Sequence, residues 1–262
     1  MNYESAVGYL PPGSIDSTGA GGPSNIGTSA FLLPYIEQNN VYVQLNPNLF
    51  YLPPLVPPSA WWATSPLSGN PYGAVIKTFR CPSDPISDGS GVSSGVWAFL
   101  YSTSGSINGS YFGPTSAFGL SNYASSAGAL GNVTGYYGTW VGPYTENSKT
   151  SIVSIVDGTS NTLGFGETLG GQSPGTRDFV SSWMAGPNLP TAWGLPTPTG
   201  WVDYGSAHTG GLTNFAYCDG SVRAIRAFSG STTDWFSSNW FTFQNAAGMR
   251  DGAVFDITLI GQ

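Results

Sequence analysis

The residues best suited to chemistry in this sequence are its single histidine, His208, and the serines and aspartates that could act with it. GVSSG (91–95) matches the G-x-S-x-G pattern of a nucleophile elbow, with Ser93 as nucleophile and Asp157 or Asp203 ahead of the histidine in hydrolase order. An elbow serine needs a preceding core strand and a following helix, and the flanks of this pentapeptide predict neither. A chance match is expected in a chain with 37 glycines, so we expect no enzyme, and a serine hydrolase is the least favoured function.

The two cysteines, Cys81 and Cys218, permit one disulfide bond in an oxidising compartment. Sequence spacing does not establish that they lie within bridging distance, so two free thiols are the alternative. Transition-metal sites need clustered histidine and cysteine side chains. One histidine and two distant cysteines therefore predict no such site.

Calcium requires only oxygen ligands, which aspartate, asparagine and backbone carbonyl groups supply in glycine-rich loops. The candidate ligands lie in two such loops: Asp84, Asp88, Asp157 and Asn161. Neither loop follows the spacing of a known calcium motif, and Asp-Gly turns are ordinarily satisfied by their own backbone. Calcium is the one candidate cofactor, and a chain without any cofactor is the alternative.

Aromatic side chains make up 14% of the chain and could stack on sugar rings at an exposed surface. The candidates for such stacking are Trp61, Trp62 and Trp140. Packing in the core or at a subunit contact is the favoured alternative. The acidic residues show no local pattern that singles out a glycosidase pair.

The composition favours a β-rich body with a surface that is poor in charge. Only 8% of the residues are charged, whereas globular domains average about 25%. Such a surface repels copies of itself weakly and favours self-association, and a secreted monomer with a neutral polar coat is the alternative. The 7 lysine and arginine residues form no basic patch, which argues against nucleic acid as a partner. No apolar run is long enough to span a membrane.

Local patterns predict few helices and several short strands joined by loops rich in Gly, Ser and Pro. Helix is predicted for residues 2–9 and for 28–46, where Thr28 or Ser29 would be the N-cap. Strands are predicted at 96–101, at 133–142 and in the apolar runs on either side of Asp157-Gly158. Because no long polar linker divides the chain, residues 1–262 are predicted to form one domain.

The clearest local prediction is a β-hairpin at Asp219-Gly220, flanked by NFAYC and SVRAI. A two-residue loop suits a type I′ turn here because both residues accept positive φ. This register pairs Tyr217 with Val222 and Phe215 with Ala224 on the core face. The turn therefore has a structural explanation, and we expect the histidine before it to hydrogen-bond loop backbone and fix the start of the hairpin.

Seven stretches, taken in order, resemble one family: the prepilin-like bacterial proteins whose C-terminal signature is a histidine, nine residues and then Asp-Gly. The stretches are NYESAVGYLPPGS (2–14), TSAFLLPYIEQNNVYVQLN (28–46), TFRCPSDP (78–85), SNYASSAGALG (121–131), VDGTSNTLGFGET (156–168), SAHTGGLTNFAYCDGSVRAI (206–225) and AAGMRDGAVFD (246–256). The resemblance spans nearly the whole chain. The residues that it marks as a structural signature are His208, Asp219, Gly220, Asp157, Gly158, Asn161 and Glu167.

The resemblance implies an α+β, β-rich fold. It would be a pilin-like head in which a short N-terminal helix remnant (residues 1–10) packs on an antiparallel sheet with long Gly/Ser/Pro-rich loops. The sequence departs from the family pattern twice. Ten residues separate His208 from Asp219, and we expect the extra one to be absorbed within 209–213. The family's stalk helix and processing site are also absent, as expected of a head whose stalk has been removed; a naturally short chain is the alternative.

Composition and resemblance together predict a secreted structural subunit at the cell surface or outside the cell. It would belong to a pilus-, pseudopilus-, filament- or tube-like assembly. Its partners would be copies of itself and other pilin-like subunits. The alternative function is a secreted module that binds surface polysaccharide.

Overall fold

A computed structural model describes most of the chain: residues 2–16, 26–55, 61–62, 71–84, 93–101, 107–112, 118–170, 172–173, 176–177, 179–197, 199–200, 202–228 and 234–261. The α-helices within these ranges are α1 (Asn2–Val7), α2 (Thr28–Leu32), α3 (Asn39–Tyr42) and α4 (Ser238–Ala247). The strands are β1 (Ser14–Ile15), β2 (Ile26–Gly27), β3 (Ser93–Tyr101), β4 (Ile107–Phe112), β5 (Tyr123–Ser126), β6 (Leu163–Glu167), β7 (Gln172–Ser173), β8 (Thr176–Arg177), β9 (Phe179–Ser181), β10 (Asn188–Leu189), β11 (Leu212–Tyr217) and β12 (Val222–Arg226). This arrangement confirms the predicted α+β, β-rich fold class with a short N-terminal helix.

The largest sheet has the strand order β10-β5-β6-β11-β12. Its neighbours run antiparallel except for β10, which runs parallel to β5. A second sheet has the order β4-β3-β9, and two further pairs join β1 to β2 and β7 to β8. No helix in the described ranges combines the length and the apolar character that crossing a bilayer requires.

Helix α4 covers the largest sheet, although the sequence patterns did not predict it. The Ser237 hydroxyl caps the helix by accepting a hydrogen bond from the Trp240 N–H (3.2 Å). Trp240 and Phe243, three residues apart and thus on one helix face, are fully buried. The Phe243 ring packs edge-on against Phe215 of β11, with 5.7 Å between ring centroids. This helix and the sheet enclose the main hydrophobic core.

The single helix predicted over 28–46 is wrong, because the segment breaks into α2, a 3₁₀ turn and α3. Glu37 has a φ of 61°, which a right-handed helix cannot contain. The N-cap of α2 is Gly27, not Thr28 or Ser29. The Thr28 hydroxyl instead donates to backbone carbonyl groups of the preceding loop.

The strand predictions are confirmed in part. Residues 96–101 lie within β3, and the run after Asp157-Gly158 is β6. Residues 136–140, inside the predicted strand 133–142, form a 3₁₀ helix instead, and so does the run before the Asp-Gly pair at Ile152–Ser154. Short apolar runs do not distinguish a strand from a tight helical turn, and here tertiary packing decides.

The predicted hairpin at Asp219-Gly220 forms, but its predicted register is wrong by one residue. Ala216 pairs with Val222, and Phe215 pairs with Arg223. The pairs expected from a two-residue loop are therefore not made. A shift of one residue moves every side chain of the second strand to the other face of the sheet.

The register shift follows from the type of turn. The Tyr217 carbonyl accepts a hydrogen bond from the Gly220 N–H (2.9 Å), and the Tyr217 N–H donates to the Ser221 carbonyl (2.8 Å). Gly220 alone in this loop has a positive φ, 89°, which is typical of a three-residue turn closed by a glycine bulge. As a result Val222 is exposed, and Ile225 occupies the core face of β12.

Candidate functional site

Three potential metal-ligating side chains from distant parts of the chain meet beside the largest sheet. The Nε2 atom of His208 lies 3.0 Å from Oε1 of Glu167 and 3.7 Å from Sγ of Cys81. All three ligand atoms lie within 4.8 Å of one another. The sequence predicts no cluster of histidine and cysteine, and the structure corrects this prediction, because Cys81 approaches the histidine across 127 positions of the chain.

Each of the three residues is positioned by the end of a regular element. Cys81 follows the 3₁₀ helix Lys77–Phe79, and Glu167 is the last residue of β6. His208 caps the short 3₁₀ turn Thr209–Gly211 that leads into β11. Cys81 and Glu167 are buried, whereas the His208 side chain is 28% exposed, so solvent reaches the cluster from the histidine side.

A buried asparagine ties the cysteine segment to the sheet. The Asn122 Oδ1 accepts a hydrogen bond from the Cys81 N–H (2.9 Å), and its Nδ2 donates to Asp84 Oδ2 (2.5 Å). Its backbone carbonyl accepts from the Thr168 N–H (2.7 Å), next to Glu167. Asn122 is 2% exposed, so these bonds fix the Cys81 backbone relative to the end of β6.

The imidazole of His208 contacts side chains, which corrects the expectation that it hydrogen-bonds loop backbone. Besides Glu167 and Cys81, its Nε2 atom lies 3.1 Å from Nδ2 of Asn214. The loop is fixed by the backbone of the histidine instead, because the His208 N–H donates to the Ser206 hydroxyl (3.0 Å). The Asn214 N–H donates to Glu167 Oε2 (2.8 Å), which orients the carboxylate with Oε1 toward the histidine.

The surroundings of the cluster disfavour negative charge. Burial raises the pKa of the Cys81 thiol and the Glu167 carboxylate raises it further, against backbone hydrogen bonds from Ser83 and Asp84 that lower it. Burial, followed by the nearby Cys81 and Glu167, raises the pKa of Tyr123 to about 12. Tyr123 pairs with Glu167 across β5 and β6, so its phenol faces the same cluster. The Cys81 thiol and the Glu167 carboxyl group thus lie side by side where little solvent screens their charges.

A cleft of about 280 Å³ opens beside His208. Small and hydroxyl-bearing residues line much of it: Ser206, Gly211, Thr213, Thr197 and Thr199. Because His208 belongs both to the cleft wall and to the cluster, the cleft lies directly beside the cluster. The cleft holds few aromatic groups, which does not favour a large apolar ligand.

Cys81 and Cys218 do not form the disulfide bond that the sequence permits, and both are free thiols, as in the alternative. Cys81 lies at the histidine cluster, whereas Cys218 packs against a separate hydrophobic cluster that includes Leu10, Tyr144 and Met249. Burial, and then the neighbouring Asp219, raise the pKa of Cys218 to about 12. Cys218 is therefore a packed, unreactive thiol at neutral pH.

The candidate calcium ligands that the structure describes are engaged in hydrogen bonds within the protein. Asp84 accepts its hydrogen bond from Asn122, and the Asp157 carboxylate accepts from the backbone N–H groups of Asp251 (2.7 Å) and Gly252 (3.0 Å). Asn161 donates to the Asp157 carbonyl, and Asp88 lies outside the described residues. Among the residues that the structure describes, the cluster at His208 is the one group of three such side chains with ligand atoms this close.

The candidate sugar-stacking residues are mostly buried. Trp61 is 2% exposed and packs against Tyr72 and Phe118, and Trp140 is 6% exposed and packs against Trp240. Trp62 is half-buried against Trp61. The two buried indoles cannot present a face to a sugar, so the alternative that they pack the core is the correct one.

The candidate nucleophile Ser93 begins strand β3, which continues to Tyr101. The serine of a nucleophile elbow stands instead between a strand and a helix. The structure therefore does not bring Ser93 into an elbow. Asp203, one of the two candidates for the aspartate of a catalytic triad, accepts a hydrogen bond from the Gly200 N–H (2.7 Å), and burial raises its pKa to about 6.

A second notable region is made of three Asp-Gly pairs whose segments are linked by hydrogen bonds. Asp157 accepts from the backbone of the pair Asp251-Gly252, as described above, and the Asp219 N–H donates to the Thr159 carbonyl (3.1 Å). Four exposed valines stand on these joined segments, and we call them the valine surface: Val153, Val156, Val222 and Val254. They are between 64% and 101% exposed, so most of their apolar area contacts water.

Fold and site define a β-rich α+β protein with a buried Cys-Glu-His cluster at the end of its largest sheet. Residues 1–228 match the family described as "Protein of unknown function (DUF1559)", and the chain belongs to that family. No curated protein and no solved structure matches the chain.

Proposed function

We propose that this chain is a secreted structural subunit of an extracellular pilus-, filament- or tube-like assembly, and that it self-associates through the valine surface. The observation that carries the proposal is the exposure of the four valines on segments that are themselves firmly hydrogen-bonded. An apolar patch on a rigid base loses little conformational entropy when it is buried against a partner. It therefore favours association more than the same residues on a loose loop would.

The charge distribution supports association of like chains. Only 8% of the residues are charged, and salt screens the net charge of −7 beyond about 8 Å at physiological ionic strength, which limits the repulsion between two copies. Burial of apolar area contributes about 25 cal/mol per Å², and four exposed valines supply such area from each copy. Partner copies rather than an unrelated protein are the simplest occupants, because the few charged residues are scattered along the sequence and form no run that would select an oppositely charged partner.

The resemblance to prepilin-like proteins supports the same function. Helix α1 ends at Val7, because Gly8 with a φ of 87° cannot continue it, and this is where the resemblance expects a stalk helix to meet the head. The Tyr3 ring of α1 packs edge-on against Phe31 (6.1 Å) and Tyr35 (5.6 Å), which holds the helix against the head. A rigid junction of this kind would transmit the orientation of a stalk to the head.

The proposal is tested by measuring assembly of the purified chain and of the native cell surface. Sedimentation velocity over a range of concentrations and negative-stain microscopy should reveal oligomers or filaments. The variant Val153→Thr/Val254→Thr keeps the shape of both side chains and removes apolar area, so we expect it to remain monomeric at concentrations where the wild type assembles. Labelled antibody against the chain should decorate a surface structure on the native cell.

The matched control is Val43→Thr/Val75→Thr, which changes two valines that are 68% and 55% exposed outside the valine surface. This control should assemble like the wild type. Equal loss of assembly in both double variants would show that general surface hydrophobicity is responsible. Monomers at every concentration, with no decorated structure on the cell, would overturn the proposed function.

A further inference from the structure

We propose that Cys81, Glu167 and His208 form a binding site for a divalent transition-metal cation of the zinc class. A thiolate, an imidazole and a carboxylate are the three side-chain ligands that Zn²⁺ accepts. Sulfur and nitrogen ligands exclude the hard cations Ca²⁺ and Mg²⁺ as the preferred occupants. This inference is independent of assembly through the valine surface.

The spacing of the ligand atoms fits a tetrahedral ion. With metal–ligand bonds of about 2.0 Å to nitrogen and oxygen and about 2.3 Å to sulfur, a tetrahedral site places nitrogen and oxygen about 3.3 Å apart and either of them about 3.5 Å from sulfur. The structure has 3.0 Å between His208 Nε2 and Glu167 Oε1 and 3.7 Å between Cys81 Sγ and His208 Nε2, and the third pair, Cys81 Sγ and Glu167 Oε1, lies within 4.8 Å. The two separations at the histidine are thus within a few tenths of an ångström of coordination geometry, and rotation of the Cys81 and Glu167 side chains would adjust the third.

With the Asn214 amide in its present orientation, hydrogen bonding does not satisfy all the atoms that meet at Nε2 of His208. This nitrogen carries either one proton or one lone pair, in a single direction in the ring plane. The Glu167 carboxylate oxygen at 3.0 Å requires the proton, whereas the Asn214 amide nitrogen at 3.1 Å requires the lone pair. A cation resolves the conflict because the lone pairs of nitrogen, carboxylate and thiolate can all point at it. A half-turn of the Asn214 amide would add its Oδ1 atom as a fourth ligand to the ion.

The groups around the cluster hold the ligands in position before an ion arrives. The Asn214 N–H binds Glu167 Oε2 at 2.8 Å and leaves Oε1 directed at the cluster. Asn122 holds the Cys81 backbone through the bond of 2.9 Å to its N–H. Outer hydrogen bonds of this kind are typical of metal sites, where they orient ligands and raise affinity.

A cation at this position would link three segments that are distant in sequence. It would join the loop after the 3₁₀ helix Lys77–Phe79 to the end of β6 and to the loop before β11. Because the folded chain brings the ligands together and the unfolded chain does not, ion binding stabilises the folded state. The exposed edge of His208 in the cleft gives the ion its route of access.

The experiment uses the full chain, purified with a reducing agent, freed of metal with a chelator and then titrated with Zn²⁺ and with Co²⁺. We expect one equivalent of Zn²⁺ by calorimetry and, with Co²⁺, a near-ultraviolet thiolate-to-cobalt absorption band with the visible bands of a tetrahedral ion. Thermal unfolding should shift upward by several degrees at a Zn²⁺ concentration about 100 times the dissociation constant.

Matched variants decide which residues bind. Cys81→Ser should abolish the thiolate band and weaken Zn²⁺ binding by more than the about 10- to 100-fold that outer hydrogen-bond partners contribute. Glu167→Gln and His208→Gln should weaken binding to a similar extent, while Cys218→Ser, which removes the other thiol, should keep both band and affinity. Circular dichroism of each metal-free variant separates loss of binding from loss of folding. No stoichiometric Zn²⁺ binding by the wild type, or a thiolate band that survives Cys81→Ser, would overturn the proposal.

Discussion

The Phe215 ring of β11 packs directly over Gly166, its cross-strand partner on β6. A Cβ atom at residue 166 would stand 2.5 Å from the ring atoms of both Phe215 and Tyr204. Both rings are fully buried, so neither can move into solvent to make room. The absence of a side chain at this position is therefore what lets the aromatic core close against the strand that ends at Glu167.

Gly166→Ala should strongly destabilise the protein. The added methyl group forces two buried rings to shift, and overpacking of this kind costs about 1 to 3 kcal/mol. Gly164→Ala is the matched control on the same strand, because its Cβ would meet nothing closer than the Ala216 carbonyl oxygen at 3.3 Å. Urea unfolding should therefore give a larger loss for Gly166→Ala than for Gly164→Ala. Equal losses would show that strand propensity, not ring packing, decides the effect.

The buried carboxyl group of Asp203 and the half-buried one of Glu146 predict that the protein becomes less stable as the pH rises from acidic to neutral. Burial raises the pKa of Asp203 to about 6, and burial together with the neighbouring Asp16 raises the pKa of Glu146 to about 7. Unfolded carboxyl groups titrate near pH 4, so between about pH 4 and 7 the folded state binds more protons than the unfolded state. The free energy of unfolding then falls with rising pH across this window, by at most about 3 kcal/mol for Asp203.

Thermal unfolding between pH 4.5 and 7.5 measures this dependence. Glu146→Gln should flatten the upper part of the decline, because glutamine carries no charge and its Oε1 can still accept the hydrogen bond from Asn147 Nδ2. Asp256→Asn is the control, since Asp256 is exposed and its hydrogen bonds to Thr258 lower its pKa rather than raise it. A wild-type protein that gains stability steadily from pH 5 to pH 7.5 would contradict the prediction.

Asp157→Ala should loosen the base of the valine surface. The Asp157 carboxylate accepts two backbone N–H groups, from Asp251 and Gly252, and a hydrogen bond to a charged group contributes about 1.5 to 3 kcal/mol. Because Asp157 is partly exposed, we expect a loss of about 2 kcal/mol in urea unfolding. Asp219→Ala removes the hydrogen bond from the Ser221 N–H at an exposed turn and should cost less than Asp157→Ala. The reverse order would show that Asp157 does not brace this region.

The sequence predicted the class of the fold better than its geometry. Alternation of apolar residues located β6 and β11, because period two is a local property of a strand. The register of the hairpin was beyond such reasoning, since Asp219-Gly220 is compatible with both a two-residue and a three-residue loop. The aromatic cover of the sheet by α4 was also missed, because no strong amphipathic pattern marks Trp240 and Phe243 as helical.

The cluster at His208 was not predicted because none of its members lies near another member in the sequence. Cys81, Asn122, Glu167 and His208 each belong to a different one of the stretches that carry the prepilin-like resemblance. Only the order of β5, β6 and β11 in the sheet brings these stretches side by side. The useful signal in the sequence was therefore the presence of a cysteine, an asparagine, a glutamate and a histidine in successive motifs, and not the spacing within any one of them.

His208→Ala should lower the melting temperature by a few degrees, the effect of about 1 to 2 kcal/mol in a domain of this size. The change removes the imidazole that contacts Glu167 Oε1. The Glu167 side chain, which is only 4% exposed, then has one partner fewer. The comparison is made with a chelator present, so that no cation contributes to either protein. Thr209→Ala, at the exposed neighbouring residue, is the control and should leave the melting temperature unchanged. A wild-type melting curve for His208→Ala would show that the histidine contributes nothing to the metal-free fold, and any role for it would then have to lie in binding.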